Sequence, residues 1–259
     1  YPLNQEEQTK MITAETPTIE TTVGELVARR PSRSRVFEKL GIDYCCGGKK
    51  PLSEICGEKG LDANTVLTIL LATEEGDTSA EQEWTSASLG DLSRHIEQTH
   101  HAYLKRELPR LAAIVHKVAA VHGDHHPWLL EFKRVYTHFA AEMAAHMMKE
   151  EQDLFPLIRS LESGEPASTG YRHGVDNPIR IMEDEHDDAA KSLRRMRELS
   201  AGFTPPPDAC NTFRAMLDGL NELEADLHRH VHKENSILFP KALELERRRE
   251  SSPAKSDVP

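Results

Sequence analysis

A chain of 259 residues, 38% hydrophobic, 29% charged and 5% aromatic, is long enough for one or two packed domains. Its 32 basic and 43 acidic side chains give a formal charge of −11, which argues against nucleic acid or an anionic membrane as partner, and no run of about 18 apolar residues offers a spanning helix. Four cysteines are too few for a disulfide framework, whereas 14 histidines exceed what a core needs and turn attention to metal-ligand spacing.

Residues 1–20 lack periodicity and are expected to form a disordered extension, with Met11 as a native start. Tyr1-Pro2-Leu3-Asn4-Gln5 shows no basic-then-apolar signal region, so export is not expected. A small helical domain is predicted over 21–75. Thr22-x-x-Glu25 forms a capping box ahead of Leu26-Val27, and a second helix near 33–40 places Val36, Phe37 and Leu40 on one side before Gly41 stops it. Asp43-Tyr44-Cys45-Cys46-Gly47-Gly48 reads as a loop, because paired glycines break both periodicities. Two more helices, Leu52–Cys56 and Asp62–Leu71, complete a module too small to stand alone without cystines, so it should dock on something. A polar linker is predicted at 76–87.

Four long helices follow over 88–248: from about Ser88 to His122, Pro127 to Leu161, Asn177 to Leu199, and near Asp208 to Arg248. A disordered tail is expected at 249–259. The fold class is all-α, an up-down four-helix bundle preceded by a small helical domain.

The strongest signal is an internal duplication. His146-Met147-Met148-Lys149-Glu150 and His230-Val231-His232-Lys233-Glu234 both open His-x3-Glu-x3-Leu-Phe-Pro, 84 residues apart. Residues four apart stack on one helix face, so His146 with Glu150, and His230 with Glu234, can grip a metal centre from two helices. Leu154-Phe155 and Leu238-Phe239 continue on the core side, which puts the polar groups inside the bundle, where they need partners. The third helix offers His186, 44 residues before His230; the matching step back from His146 reaches His101. His100 is its rival, since a helical wheel does not choose between them and only the repeat spacing favours His101.

The expected site holds His101, His146, His186 and His230 as nitrogen ligands, with Glu150 and Glu234 each bridging two cations. Four neutral imidazoles and two carboxylates leave a charge of +2 on a diferrous pair. Oxygen and nitrogen donors without thiolate favour iron or manganese over structural zinc, and iron suits open positions for diatomic ligands. A competing set uses Glu97-x-x-His100 and Glu183-x-x-His186 with Glu150 and Glu234, a carboxylate-rich site that leaves His146 and His230 idle. His95, His116, His122, His125, His126, His138, His173, His228 and His232 are expected at the surface, and Met147 and Met148 as packing residues. Glu142, Glu185 and Asp226 are candidates for orienting imidazoles.

Adjacent Cys45 and Cys46 close a disulfide only through a strained ring. Gly47-Gly48 would expose the thiols and Lys49-Lys50 would favour thiolate, suiting a redox, metal-transfer or nitrosation role; two buried core thiols is the plainer reading. Cys56 and Cys210 are expected to be structural.

From about Thr22 to Leu245 the chain resembles the RIC family, the di-iron proteins for repair of iron centres. The resemblance rests on Asp43-Tyr44-Cys45-Cys46-Gly47-Gly48, His146-Met147-Met148-Lys149-Glu150-Glu151, Glu183-Asp184-Glu185-His186-Asp187, Thr204-Pro205-Pro206-Pro207, and Glu234-Asn235 before Leu238-Phe239-Pro240. It implies an ScdA-type N-terminal domain, a hemerythrin-like bundle, the six ligands above with His101 rather than His100, and two iron ions under an oxo or hydroxo bridge. It also implies a bacterial cytoplasmic protein, often a homodimer, that helps restore iron–sulfur clusters after nitrosative or oxidative damage. Three activities fit the ligand pattern equally: iron donation, handling of NO as sink or weak reductase, and O₂ binding.

Overall fold

The computed structural model describes residues 16–72, 84–164 and 174–251. Most of the predicted linker, His173 and the last eight residues lie outside that set. Among the described residues every regular element is helical, and the only β pairing is an isolated bridge between Thr22 and Pro51. No helix among them is long and apolar enough to cross a membrane.

The N-terminal module comprises α1 (Val23–Arg29), α2 (Ser34–Leu40), α3 (Leu52–Lys59) and α4 (Ala63–Ala72). Thr22 caps α1 by accepting the Glu25 N–H, Asp62 accepts the Thr65 N–H ahead of α4, and Gly41 ends α2 with φ 63°. Leu26, Phe37, Tyr44, Leu52, Cys56 and Leu70 fill its core. Order begins earlier than the sequence suggests: Thr18 and Thr21 close a turn, and the Ile19 carbonyl accepts the Ser53 N–H, so 18–21 is tied to the start of α3.

Four rods form the bundle. The first is α5 (Leu89–Ile96), a π turn (Glu97–His101) and α6 (Ala102–His122). The second is α7 (Trp128–Lys149), a π turn (Glu150–Leu154) and α8 (Phe155–Ser163); the third is α9 (Asp176–Leu199). The fourth is α10 (Asn211–Lys233), a π turn (Glu234–Leu238) and α11 (Phe239–Glu250). Helix α11 covers Arg249 and Glu250, where a disordered tail was expected, because three arginines in its last turn complement the helix dipole and Arg249 reaches the Glu162 carbonyl.

Two of the π turns have a local cause. A proline has no N–H and its ring crowds the carbonyl four residues back. Pro156 and Pro240 therefore deny an α-type bond to the carbonyls of Gln152 and Ser236, inside the widened turns. The first rod has no proline at its π turn.

The bundle core is split. One apolar cluster holds Leu104, Leu111, Phe132, Phe139, Leu193, Phe213 and Leu220; the other holds Leu92, Ile96, Phe155, Ile158, Ile179, Leu238 and Phe239. Odd rods meet the second cluster first and even rods the first, which is the alternation of an up-down bundle. Between the clusters lies a layer of buried polar side chains.

Candidate metal centre

That layer contains His101, His146, Glu150, His186, His230 and Glu234, each at most 2% exposed. The structure brings the six together as two overlapping groups, His101/Glu150/His230/Glu234 and His146/Glu150/His186/Glu234. Nε2 of His101 lies 3.1 Å from Nε2 of His230, and Nε2 of His146 lies 3.0 Å from Nε2 of His186. Glu150 Oε2 sits between the pairs, 3.2 Å from His101 and 3.3 Å from His146. Glu234 spans them with separate oxygens, Oε1 at 2.9 Å from His230 and Oε2 at 3.2 Å from His186.

The far nitrogens explain why the near ones face inward. His101 Nδ1 pairs with Glu151 (2.8 Å), His146 Nδ1 with Glu185 (2.9 Å) and His186 Nδ1 with the Asn235 amide oxygen (2.9 Å). An acceptor at Nδ1 places the proton there, so a neutral ring presents an Nε2 lone pair to the centre. Two such lone pairs about 3 Å apart repel unless a proton or a metal cation lies between them. Both Glu150 oxygens and Oε2 of Glu234 are buried without a hydrogen bond, a costly arrangement that cations would relieve. The residues fit a cation-binding site of nitrogen and oxygen donors.

Electrostatics agree in the metal-free chain. Burial lowers the His146 pKa, but Glu150 and Glu185 more than reverse this and push it to about 10. Burial and Glu234 oppose ionisation of Glu150, yet His146 and His101 hold it at about 2. For His230 burial prevails and its pKa is lowered.

The carboxylate-rich alternative does not assemble. Glu97 pairs with Arg159 at 2.9 Å and Glu183 with Lys49 at 2.8 Å, both away from the centre. His100 is buried but turns from the centre, with Nδ1 3.1 Å from both Asp226 oxygens and Nε2 3.0 Å from Lys233 Nζ. Of the three acids expected to orient imidazoles, Glu185 meets His146, Asp226 meets His100 instead of a centre histidine, and Glu142 is exposed beside His138. Sequence reasoning missed Glu151 and Asn235. They are repeat partners, each one residue beyond a carboxylate of the duplicated motif, so the 84-residue offset could have found them. Lys105 and Lys149 in turn hold Glu151 and Glu185.

His232 corrects the surface expectation. It does point away from the centre, but that face is covered by Tyr44, 5.5 Å between ring centroids, leaving His232 5% exposed. Burial lowers its pKa to about 4.

The cysteines also differ from expectation. Asp43 Oδ1 accepts the N–H groups of Cys45 and Cys46 (3.0 Å each) and the Cys45 thiol (3.2 Å). Cys45 is buried and only Cys46 is half-buried. Lys49 and Lys50 do not activate them, since they pair with Glu183 and with Glu54 and Glu58. Instead the Cys46 contact, burial and Asp43 push the Cys45 thiol well above its usual pKa. The two sulfurs are 3.9 Å apart and unbridged, and the Cys46 thiol lies 3.6 Å from the backbone carbonyl of the centre residue His186. Cys56 is buried as expected, whereas Cys210 is exposed beside His122.

Comparison with known proteins agrees with this arrangement. Residues 19–74 match ScdA_N, described as a domain of unknown function (DUF542), and residues 91–242 match the hemerythrin HHE cation-binding domain. The chain is 36% identical over 224 residues to the iron-sulfur cluster repair protein YtfE of Musicola paradisiaca (strain Ech703), covering 86% of this chain and 96% of that protein. It is 38% identical over 221 residues to the protein of the same name from Escherichia coli O81 (strain ED1a), covering 85% and 96%. With both domain matches in order and relatives aligned over nearly their whole length, the chain belongs to the RIC family, an ScdA-type N-terminal domain joined to a hemerythrin-like bundle.

Proposed function

We propose that this protein carries two iron ions and gives up iron for the repair of damaged iron–sulfur clusters in the bacterial cytoplasm. The observation that carries the reading is the pair of facing imidazoles spanned by two buried carboxylates with unsatisfied oxygens. His101 and His230 would hold one ion, His146 and His186 the other, and Glu150 and Glu234 would bridge them. Bound there, iron supplies open positions for small ligands and a cargo for transfer; nitrogen and oxygen donors without thiolate suit it better than structural zinc. The names of the relatives, iron-sulfur cluster repair proteins, support the same use. Cys46, half-buried above His186, is the group best placed to meet a leaving ion or a recipient, with Cys45 as its thiol neighbour.

Two tests decide the reading. Anaerobically prepared protein should contain two irons per chain, coupled through a bridge in its Mössbauer spectrum; one iron or one zinc rejects it. Loaded protein mixed with an apo iron–sulfur enzyme should restore activity, and E150A or E234A should abolish the effect. Restoration that survives both substitutions rejects donation, and turnover of NO to nitrous oxide without iron transfer would support NO reduction instead.

A further inference from the structure

The duplication is broken at one place beside the centre. Lys149 matches Lys233 and Glu151 matches Asn235 at the offset of 84, and His101 matches His186 at 85. One residue before the third-rod histidine stands Glu185; one residue before the first-rod histidine stands His100. Glu185 accepts from His146 Nδ1 and is paired with Lys149. His100, at the equivalent position, meets the equivalent lysine, Lys233, but gives His230 no acceptor. Its ring lies parallel to that of His230, 7° between planes and 5.5 Å between centroids, and its nitrogens are engaged with Asp226 and Lys233. A ring stacked face to face offers no in-plane lone pair to its neighbour's N–H. His230 Nδ1 is accordingly buried with no hydrogen-bond partner, while the other three centre histidines each have one.

An acceptor behind a ligating imidazole fixes its tautomer, holds its plane and raises its basicity. His230 lacks all three aids. When its Nε2 faces a cation, the proton on Nδ1 is left buried without an acceptor, a cost the other histidines escape. We propose that the two cation positions are inequivalent: the ion between His101 and His230 is the exchangeable one, the ion between His146 and His186 is retained, and His100, standing where the repeat puts Glu185, sets the difference. This rests on the two-ion reading above and adds which ion is given up. His100 acts through His230 as a positioning residue.

The test uses full-length protein loaded anaerobically with ferrous iron and mixed with excess of a colorimetric ferrous chelator. Wild-type protein should release iron in two phases of equal amplitude. H100E, which restores a carboxylate behind His230, should slow the fast phase roughly 10- to 100-fold and leave the slow phase unchanged. Because a carboxylate beside Asp226 could disturb folding, E185Q provides the second arm: weakening the acceptor behind His146 should speed the slow phase alone and draw the two together. A loosened fold would accelerate both phases, whereas the proposed role moves one. Single-phase release from wild type, or equal effects on both phases in E185Q, overturns the proposal. A loaded protein with only one iron per chain overturns the two-ion reading itself.

Discussion

A buried imidazole is defined by what its second nitrogen meets, and the histidines of this chain separate on that basis. His101, His146 and His186 have an acceptor, and their other nitrogens converge on the centre. His95 differs: its Nδ1 meets the Thr99 hydroxyl at 3.3 Å, its ring stacks on Trp84, 4.0 Å between centroids, and burial with the nearby Lys233 charge lowers its pKa to about 4. It therefore stays neutral in the fold at pH values where the unfolded chain, near 6.5, takes up a proton. The unfolded state then binds more protons than the native one, so this residue makes stability fall as pH drops from about 6.5 to 4. In metal-free protein, H95N should flatten the pH dependence of the urea midpoint across that window relative to wild type. Parallel curves for the two proteins would show that His95 is protonated alike in both states.

In the second and fourth rods the glutamate-bearing π turns run into the same three residues, Leu-Phe-Pro. Phe155 stacks on His101 (5.7 Å, 17°) and Phe239 on His186 (6.1 Å, 5°), both phenyl rings fully buried. Replacing Phe155 by alanine removes a core side chain and the wall behind a centre histidine, and should cost about 3–5 kcal/mol, read from urea unfolding of the metal-free protein. A loss under about 1 kcal/mol would mean the pocket collapses around the smaller side chain. Much at this scale was legible. Stacking of residues four apart, repeated in register, marks His146, Glu150, His230 and Glu234; His186 is the one histidine of its rod, repeat spacing leans to His101 over His100, and the stop signals bound the rods. The π turns were not legible, because the apolar pattern reads on through a one-residue widening, and only Pro156 and Pro240 hint at two of them. His232 and the thiols were misjudged for a different reason. Their exposure depends on Tyr44 and the loop around Cys45 docking on a remote part of the chain, and periodicity along one helix says nothing of that.

At the scale of the molecule, the N-terminal module is seated on the bundle through close backbone approach. A Cβ at Gly24 would lie 2.7 Å from Ser236 Oγ and 2.9 Å from the Gly48 carbonyl, and the Gly24 N–H donates to that same carbonyl at 2.9 Å. The hydroxyl could swing aside, but the backbone oxygen could not without shifting the Cys45-Cys46 loop. G24A should therefore loosen the module while the bundle stays folded, seen as faster hydrogen exchange in 22–52 and greater alkylation of Cys46. Unchanged exchange would show that the seat tolerates the displacement. The pairing within the centre has a reach beyond any one rod. Each facing imidazole pair takes one member from the first hairpin (His101 or His146) and one from the second (His230 or His186), so neither half of the chain owns a complete cradle. Bound cations would then clasp two otherwise separable halves, and a chain severed between Gly164 and Gly174 would reunite as a complementation reporter whose signal tracks loading with metal.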